Sequence, residues 1–331
     1  MIRLVGVLVV ALLAFSSQPP RAAEESYPAR PIRLIVGFAA GSSGDVAARI
    51  VSHKLGDLLG QTVIVENRPG ASSMIATDYV ARSPKDGYTL LFATIAATIN
   101  TTLLPGKGAN FEKDLAPIVL VGSIPNILVV SPDLGINDVK ELIALAKQKP
   151  DELLYGASGL GSGPHLATEL FKQMAGIKMT GVLYPGSAQT AMDLLSGRIQ
   201  VMFSPASTVL AFIKEGRVKA LATSEAKRTS VAPELPTISE AALPGYDTGL
   251  WFGILGPAGM PKAIVDKISN ATNSALKDPD VLKQLTTQGL DARGGSPEEF
   301  ALFIKNETER WARVIHHMDA AKESKEGGVR P

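Results

Sequence analysis

The sequence contains no cysteine among its 331 residues. This absence excludes disulfide bonds, thiolate nucleophiles, iron–sulfur clusters, cysteine-type zinc sites and a lipid-modified N-terminal cysteine. The chain has only 4 histidines, and none of them has the spacing of a HExxH or His-x-x-x-His metal motif. We therefore predict neither a metal site nor a cofactor.

An excess of charge of either sign is also missing. Lysine and arginine together number 33, against 32 aspartates and glutamates. Proteins that bind DNA or RNA carry a clear basic excess on at least one surface. The balance of charges therefore predicts no nucleic-acid partner.

The sequence lacks the motifs of the common catalytic sites. The glycine- and serine-rich stretches 41–45 and 159–163 do not match the GxSxG elbow of serine hydrolases. The stretch 181–187 spaces two glycines as a P-loop does but has no lysine, and no GxGxxG follows the first predicted strand. These absences favour a binding protein over an enzyme, with a secreted hydrolase that uses Ser162 and His165 as an alternative.

The chain has only one long apolar run, and that run lies at its start. Arg3 precedes the uncharged residues 4–15, which are followed by serine, proline and alanine. This run is too short to cross a bilayer, which takes about 20 helical residues. The pattern predicts a secretory signal peptide, residues 1–23, cleaved near Ala23, and hence a free periplasmic protein.

The rest of the chain is long enough for two compact lobes, at roughly 150 residues each. After Pro31, short β-branched runs alternate with stretches of helical periodicity. This alternation predicts an α/β fold in which each lobe is a mostly parallel sheet flanked by helices. We assign residues 24–122 and 229–331 to lobe 1 and 123–228 to lobe 2, with a ligand cleft between them and hinges near 121–125 and 224–236.

The periodicity and the turn residues place the individual elements. Strands are predicted at 32–38, 62–66, 88–94, 127–130, 153–156, 181–184, 199–203, 218–223 and 250–255. Helices are predicted at 45–59, 74–82, 137–147, 166–174, 191–195, 208–215, 261–276, 279–288 and 297–319.

Five loops of small and polar residues connect these predicted strands to the helices that follow. They span 38–44, 94–100, 156–163, 185–189 and 204–208, and none contains lysine or arginine. In parallel α/β sheets such loops gather at the carboxyl ends of the strands, where helix N-termini present free N–H groups that hold anions. The loops therefore predict a cleft that binds an anion through neutral donors.

Several longer segments carry a resemblance to a known family. They are YPARPIRLIVGFAAGSSGDVAARIV, VIVENRPGASSMIATDYVARSPKDGYTLLFAT, YGASGLGSGPHLATELFKQMAG, YPGSAQTAMDLLSGRIQVMF and WFGILGPAGMP. In these the chain resembles the Bug family, the extracytoplasmic receptors of tripartite tricarboxylate transporters. From the export signal and the missing catalytic and metal motifs we expect a soluble monomer. The resemblance implies a two-lobed periplasmic-binding-protein fold of type II that binds a small carboxylate. It also implies integral membrane subunits of the transporter as partners.

The resemblance and the loops together define the predicted ligand-contacting residues. They are Phe38, Ala39, Ser42, Ser43, Thr94, Ala96, Asn100, Ser158, Gly159, Ser162, His165, Tyr184, Gly186, Ser187 and Ser204.

Three departures from the family pattern bear on the ligand. The first loop has Ala39, Ala40, Gly41 and Ser42 where the family has a proline and paired glycines, and Ser72 and Ser73 replace glycines after ENRPGA. Ser204 stands where the family often has an acidic residue. Without that acid a partner for an ammonium group is missing, so we expect a plain mono- or dicarboxylate rather than an amino acid. A sensor subunit for a membrane kinase would use the same cleft, and the sequence leaves that alternative open.

Overall fold

The structure, a computed structural model, describes residues 27–159, 162–184 and 186–327. The predicted signal peptide, residues 1–23, and positions 160, 161 and 185 of the predicted loops lie outside the described residues. The strands are β1 Ile32–Val36, β2 Val63–Asn67, β3 Thr89–Thr94, β4 Leu115–Val130, β5 Leu154–Ala157, β6 Thr180–Leu183, β7 Val201–Pro205, β8 Lys219–Thr223, β9 Gly249–Pro257 and β10 Asp291–Ala292.

Helices follow most of the strands. They are α1 Ser43–Leu59, α2 Met74–Ala81, α3 Ala96–Leu103, α4 Phe111–Asp114, α5 Val139–Gln148, α6 Gly163–Ala175, α7 Ser187–Leu195, α8 Ala206–Lys214, α9 Ile238–Ala241, α10 Lys262–Ala275, α11 Pro279–Thr287 and α12 Pro297–Gly327. None of the helices in the described part of the chain is both apolar enough and long enough to cross a membrane.

The strands form two sheets that share β4. The first sheet has the order β2-β1-β3-β9-β4, with β10 on the free edge of β4. The second sheet has the order β6-β5-β7-β4-β8. Strands β1, β2 and β3 are parallel, as are β5, β6 and β7, whereas β9 runs antiparallel to both of its neighbours. The predicted α/β class with mostly parallel sheets is confirmed. We call each sheet with its helices a lobe.

Strand β4 is far longer than the predicted strand 127–130. It pairs with β9 as far as Pro125 and with β7 from Asn126 onward, so one strand passes from the first sheet into the second. The pairing with β9 shifts in register near Pro117 and before Gly122. Proline and glycine within a strand often mark such bulges, because proline cannot donate to the sheet and glycine has no side chain to pack. Pro117 and Gly122 therefore interrupt the register of β4 without ending the strand.

The packing of residues 238–248 favours a second connection between the sheets that is later in the chain than the predicted hinge 224–236. Ile238 and Tyr246 are buried among second-lobe side chains, and the Tyr246 hydroxyl donates to the carbonyl of Ala167 (2.8 Å). The chain enters the first sheet only at Gly249, which pairs with Pro125. The division at 228/229 stays a prediction, but this packing favours a crossing near residue 248.

Buried apolar side chains fill both faces of each sheet. Helices α1, α10 and α11 cover one face of the first sheet, and α2, α3 and α12 cover the other. In the second lobe, α5 and α6 pack on one face and α7 and α8 on the other. The sheets and the helices packed on them therefore form the buried cores, and the loops at the strand ends lie outside these cores.

Helix α12 carries a buried carboxylate that makes stability depend on pH. Glu307 is 2% exposed, and its side chain accepts hydrogen bonds from Arg310 (2.7 Å) and from the Trp311 indole (3.0 Å). Burial raises the pKa of Glu307 to about 7, although the neighbouring Arg310 acts to lower it. The folded protein therefore holds a proton on Glu307 at pH values where the unfolded chain, with a pKa near 4.5, has released it.

We expect this group to stabilise the fold below about pH 4.5 and to lose that contribution as the pH rises through 7. One proton changes the free energy of unfolding by at most about 1.4 kcal/mol per pH unit. Melting temperatures between pH 5 and 8 should fall less steeply with pH in a Glu307→Gln variant than in the wild type. Equal slopes in the two proteins would show that Glu307 does not titrate in this range.

Candidate functional site

The directions of the strands bring the predicted loops to a common gap between the lobes. In the first sheet β1, β2 and β3 run in the same direction as the first part of β4, which leads toward the second sheet. In the second sheet β5, β6 and β7 run against the second part of β4, back toward the first sheet. The carboxyl ends of both parallel sets therefore face each other, which is where α/β sheets bind ligands.

The first loop is held in shape by its own helix. The Ser42 hydroxyl caps α1 by accepting a hydrogen bond from the Asp45 N–H (3.3 Å), which leaves the hydroxyl hydrogen available to another acceptor. Phe38 is half-buried, and its carbonyl accepts a hydrogen bond from Asn67 (3.0 Å). Ala39 and Ser43 are exposed or half-buried on the same loop.

Asp45 supports this loop and is not free to bind a ligand. Its carboxylate is 3% exposed and accepts hydrogen bonds from the Gly41 N–H (2.9 Å), Asn67 (2.9 Å) and Arg49 (3.0 Å). Burial acts to raise the pKa of Asp45, but these hydrogen bonds outweigh burial and hold the pKa below its usual range. The carboxylate therefore stays charged and fully engaged.

The predicted loop 94–100 is largely a helix, which corrects the sequence prediction. Thr94 ends β3, is buried and accepts a hydrogen bond from the Ala96 N–H (3.3 Å), and α3 begins at Ala96. The apolar residues Ala97 and Ile99 pack into the core, and this burial favours the helix. Asn100 therefore lies a turn inside α3, where its side chain donates to the carbonyl of Ser72 (2.9 Å).

A loop that was not among the predicted ligand contacts lies at the same edge. Residues 70–73 follow β2, and Ala71, Ser72 and Ser73 all have positive φ angles of 46°, 51° and 75°. Residues other than glycine adopt this left-handed conformation only at a cost, so such strain often marks functional loops. The signal in the sequence was the motif ENRPGA followed by two serines in place of glycines.

The second lobe contributes a capped helix start. Ser162 caps α6 by accepting a hydrogen bond from the His165 N–H (3.3 Å). The His165 ring is buried and stacks on Tyr155, with the ring centroids 6.4 Å apart. Ser158 and Gly159 are half-buried in the turn between β5 and α6. Ser162 thus keeps a hydrogen to donate, and the ring of His165 lies beneath the turn.

The loop before α7 leads into a helix that has no side-chain cap. Gly186 is the N-cap of α7 and supplies no side-chain cap, so the first N–H groups of the helix are left for another acceptor. Ser187 is the first helical residue and is half-buried. The Tyr184 hydroxyl donates to Asp193 (2.8 Å), and burial together with Asp193 raises its pKa to about 12.

Ser204 differs from the other predicted contacts. Its side chain is fully buried within β7, and the hydroxyl donates to the carbonyl of Pro205 (3.3 Å). We therefore do not assign Ser204 a contact with the ligand.

The facing loops offer neutral donors only. Their hydroxyls and helix N–H groups can hold an anion, because helix N-termini carry partial positive charge. Among the described residues no three His, Asp or Glu side chains are placed to hold a metal ion. The arrangement is suited to binding an organic anion.

Most of the chain matches a known protein family. Residues 47–320 match the family described as "Tripartite tricarboxylate transporter family receptor". The chain is 35% identical over 322 residues to the protein BugT of Bordetella pertussis, covering 97% of this chain and 98% of that protein. It is also 35% identical to a protein encoded in the tcbD-tcbE intergenic region of Pseudomonas sp. strain P51, covering 93% of each.

Solved structures are similar over nearly their whole length. An R. palustris protein with adipate is 36% identical, with a TM-score of 0.72 over 87% of this chain and 97% of that one. A Rhodopseudomonas palustris protein, MatC, with bound malate is 29% identical, with a TM-score of 0.69 over 87% and 100%. A TctC solute-binding protein from Polaromonas without ligand is 28% identical but has a TM-score of 0.81 over 88% and 99%.

Proposed function

Because this chain belongs to the tripartite tricarboxylate transporter receptor family of periplasmic solute-binding proteins, we propose that it captures a small carboxylate between its two lobes. In this role it delivers the carboxylate to the integral membrane subunits of a tripartite tricarboxylate-type transporter. The family is non-catalytic, and relatives have been solved with adipate or malate bound.

One observation carries the proposal. The carboxyl ends of two parallel strand sets face each other, and the loops there provide hydroxyl and N–H donors without lysine or arginine. A carboxylate held by several neutral donors at helix starts needs no guanidinium partner. Water can bridge the remaining gaps, so a cleft of this kind can take carboxylates of several chain lengths.

We propose that this is a separated, ligand-free arrangement of the lobes. Ser42, Thr94 and Asn100 bond within the first lobe, and Ser162 and Tyr184 bond within the second. The TM-score is higher with the ligand-free relative than with the adipate- and malate-bound relatives, which supports the same interpretation. Sequence identity does not explain this order, because the ligand-free relative is the least identical of the three. We propose that the lobes close on the ligand by rotation at the two crossings near residues 125 and 248.

The ligand class follows from which acidic groups are engaged. An amino acid would need an acidic partner for its ammonium group. Asp45 is occupied by three donors, and Asp193 accepts from Tyr184 and from Arg198 (3.2 Å). With Ser204 in place of an acid, the cleft has no free carboxylate on the described residues of these loops. We therefore propose a plain mono- or dicarboxylate as the ligand.

A thermal-shift screen tests this assignment. A ligand that binds only the folded protein adds RT ln(1 + [L]/Kd) to the free energy of unfolding, or about 2.7 kcal/mol at a hundredfold excess over Kd. We expect adipate, malate or succinate to raise the melting temperature and aspartate and glutamate to leave it unchanged. Micromolar binding of aspartate or glutamate without binding of succinate would contradict the ligand class. No shift with any carboxylate would contradict carboxylate binding itself.

A further inference from the structure

A cavity lies beside the crossings between the lobes, away from the facing loops. Its volume is about 230 Å³. Its walls include Leu120 and Ser123 of β4, Trp251 of β9 and Arg310 of α12, together with Glu225 and Asp247 from the segment between β8 and β9. Two arginine–carboxylate pairs border this cavity. Each pair joins a residue fixed to the first lobe to a residue fixed to the second.

The first pair is Arg293 with Glu225. The backbone N–H of Arg293 donates to the carbonyl of Val121 (3.0 Å), which fixes this residue to the first-sheet part of β4. Glu225 directly follows Ser224, whose N–H donates to the carbonyl of Asn126 (2.9 Å) in the second sheet. The Arg293 guanidinium and the Glu225 carboxylate are 2.7 Å apart.

The second pair is Arg310 with Asp247. Arg310 lies on α12, which packs on the first sheet, and its guanidinium is 3.1 Å from the Asp247 carboxylate. Asp247 accepts a hydrogen bond from the Ala226 N–H (2.9 Å), and its neighbour Tyr246 is bonded to α6 of the second lobe. Asp247 is therefore attached to the second lobe.

A third contact lies on the same side of the molecule. The Ser230 hydroxyl donates to the Asp291 carboxylate in β10 (2.7 Å). Ser230 belongs to the segment that leads from β8, and β10 is paired with β4 in the first sheet. All three contacts therefore connect the two lobes through side chains outside the ligand cleft.

We propose that these three contacts, Arg293–Glu225, Arg310–Asp247 and Ser230–Asp291, form a hinge latch that stabilises the separated lobes and so lowers the affinity for ligand. Rotation of one lobe on the other changes the distances between groups fixed to different lobes, and partly buried ion pairs are weakened when their partners separate. Since the closed form binds ligand, the apparent affinity scales with the fraction of protein able to close. This inference rests on the proposed function, from which it takes the separated arrangement of the lobes, but its scattering test needs no ligand.

Glu225 is the residue at which the latch can be weakened without breaking the fold. Burial raises the pKa of Glu225 and the nearby Arg293 opposes that rise, while Asp247 and Asp291 add to it. Glutamine has the shape of the protonated glutamate that burial favours, so Glu225→Gln removes the charge and keeps the side-chain volume. After Glu225→Gln, Arg293 keeps Asp291 at 3.7 Å, so its charge is not left unpaired.

The test is small-angle scattering of the unliganded protein purified from the periplasm. We expect Glu225→Gln and Ser230→Ala each to give a smaller radius of gyration than the wild type at pH 7.5. The control is Asp266→Asn, which removes an ion pair with Lys262 (2.7 Å) inside α10 and should leave the radius of gyration unchanged. In calorimetry with adipate as the probe, Glu225→Gln should bind about three- to tenfold more tightly.

Unchanged scattering from both latch variants, with melting temperatures close to the wild type, would overturn the latch. A larger radius of gyration in the variants would overturn it as well. If adipate binds none of the proteins, the proposed ligand class is in question, but the scattering of the unliganded variants still decides whether the latch exists. Since Ser230 is exposed, Ser230→Ala tests the latch even if Glu225→Gln fails to fold.

Discussion

Replacing Ser187 with alanine is expected to weaken carboxylate binding about ten- to a hundredfold. Ser187 is the first residue of α7, and no side chain caps that helix, so its hydroxyl and the adjacent N–H groups are donors at the facing strand ends. A hydrogen bond to a charged group contributes about 1.5–3 kcal/mol, and each 1.4 kcal/mol is about tenfold in Kd. Calorimetry with a carboxylate that passes the thermal-shift screen measures the loss. Ser158→Ala should give a loss in the same range.

The same helix provides the control. Ser196 ends α7, is exposed, and its hydroxyl donates to the carbonyl of Asp193 (3.1 Å). Ser196→Ala should leave the affinity within about twofold, because the hydroxyl lies at the end of α7 that faces away from the other lobe.

If carboxylate binding required a single arginine side chain, binding of the anion by neutral donors would be contradicted. Arg68 already pairs with Glu66 (2.8 Å) and stacks on the Tyr79 ring (3.7 Å to the centroid), and Arg198 is 75% exposed beside Asp193. Neither guanidinium is held toward the facing loops by these contacts. If Arg68→Ala or Arg198→Ala abolished binding while the unliganded protein kept its melting temperature, binding by neutral donors would be wrong.

Replacing Gly37 with alanine is expected to damage both stability and binding. A Cβ atom at residue 37 would lie 1.8 Å from the Ser73 hydroxyl oxygen and 2.8 Å from the Ser73 Cα. The loops after β1 and β2 would have to separate, and overpacking of this kind costs about 1–3 kcal/mol. Since both loops lie at the cleft edge, we expect at least a tenfold loss of affinity in calorimetry, together with a lower melting temperature.

A second substitution tests whether Ser73 is the cause. In Gly37→Ala/Ser73→Gly the clashing hydroxyl and Cβ are removed, and glycine suits the φ of 75° at position 73. The double variant should recover only part of the lost affinity, because the Ser73 Cα remains 2.8 Å from the new Cβ. Gly44→Ala serves as the control, since its nearest atom would be at an ordinary 3.5 Å. No recovery in the double variant would place the damage elsewhere.

The regular parts of the fold could be predicted from the sequence because each has a strong local pattern. The alternation of β-branched runs with helical stretches indicated the α/β class, and the apolar residues Ala47, Val51, Leu55 and Leu59 of α1 lie in the core, whereas Leu58 is exposed. Strand β4 was predicted too short, because Gly122 and Pro125 in the predicted hinge 121–125 are typical of a break. Only the pairing with β9, far away in the chain, shows that one strand continues through them, with bulges near Pro117 and before Gly122.

Only some residues of the candidate site could be placed from the sequence. Ser42 and Ser162 are predicted as ligand contacts from their glycine-rich loops, and both lie at the facing ends, where their hydroxyls also cap helices. Asn100 and Ser204 could not be placed, because a side chain's partner depends on elements distant in sequence, here the loop 70–73 and the packing of β7. The strained serines of that loop are visible only in the backbone angles.

The position of β9 determines the order in which the chain can fold. Strands β4 to β8 of the second sheet are close in sequence, so that sheet can form from one continuous segment. The first sheet cannot be completed until β9 has been delivered, because β9 lies between β3 and β4. Pairings between distant segments slow folding. A chain that emerges N-terminus first can therefore complete its second sheet while β3 still lacks a neighbour on one edge. The native cleft forms only after β9 has joined the first sheet.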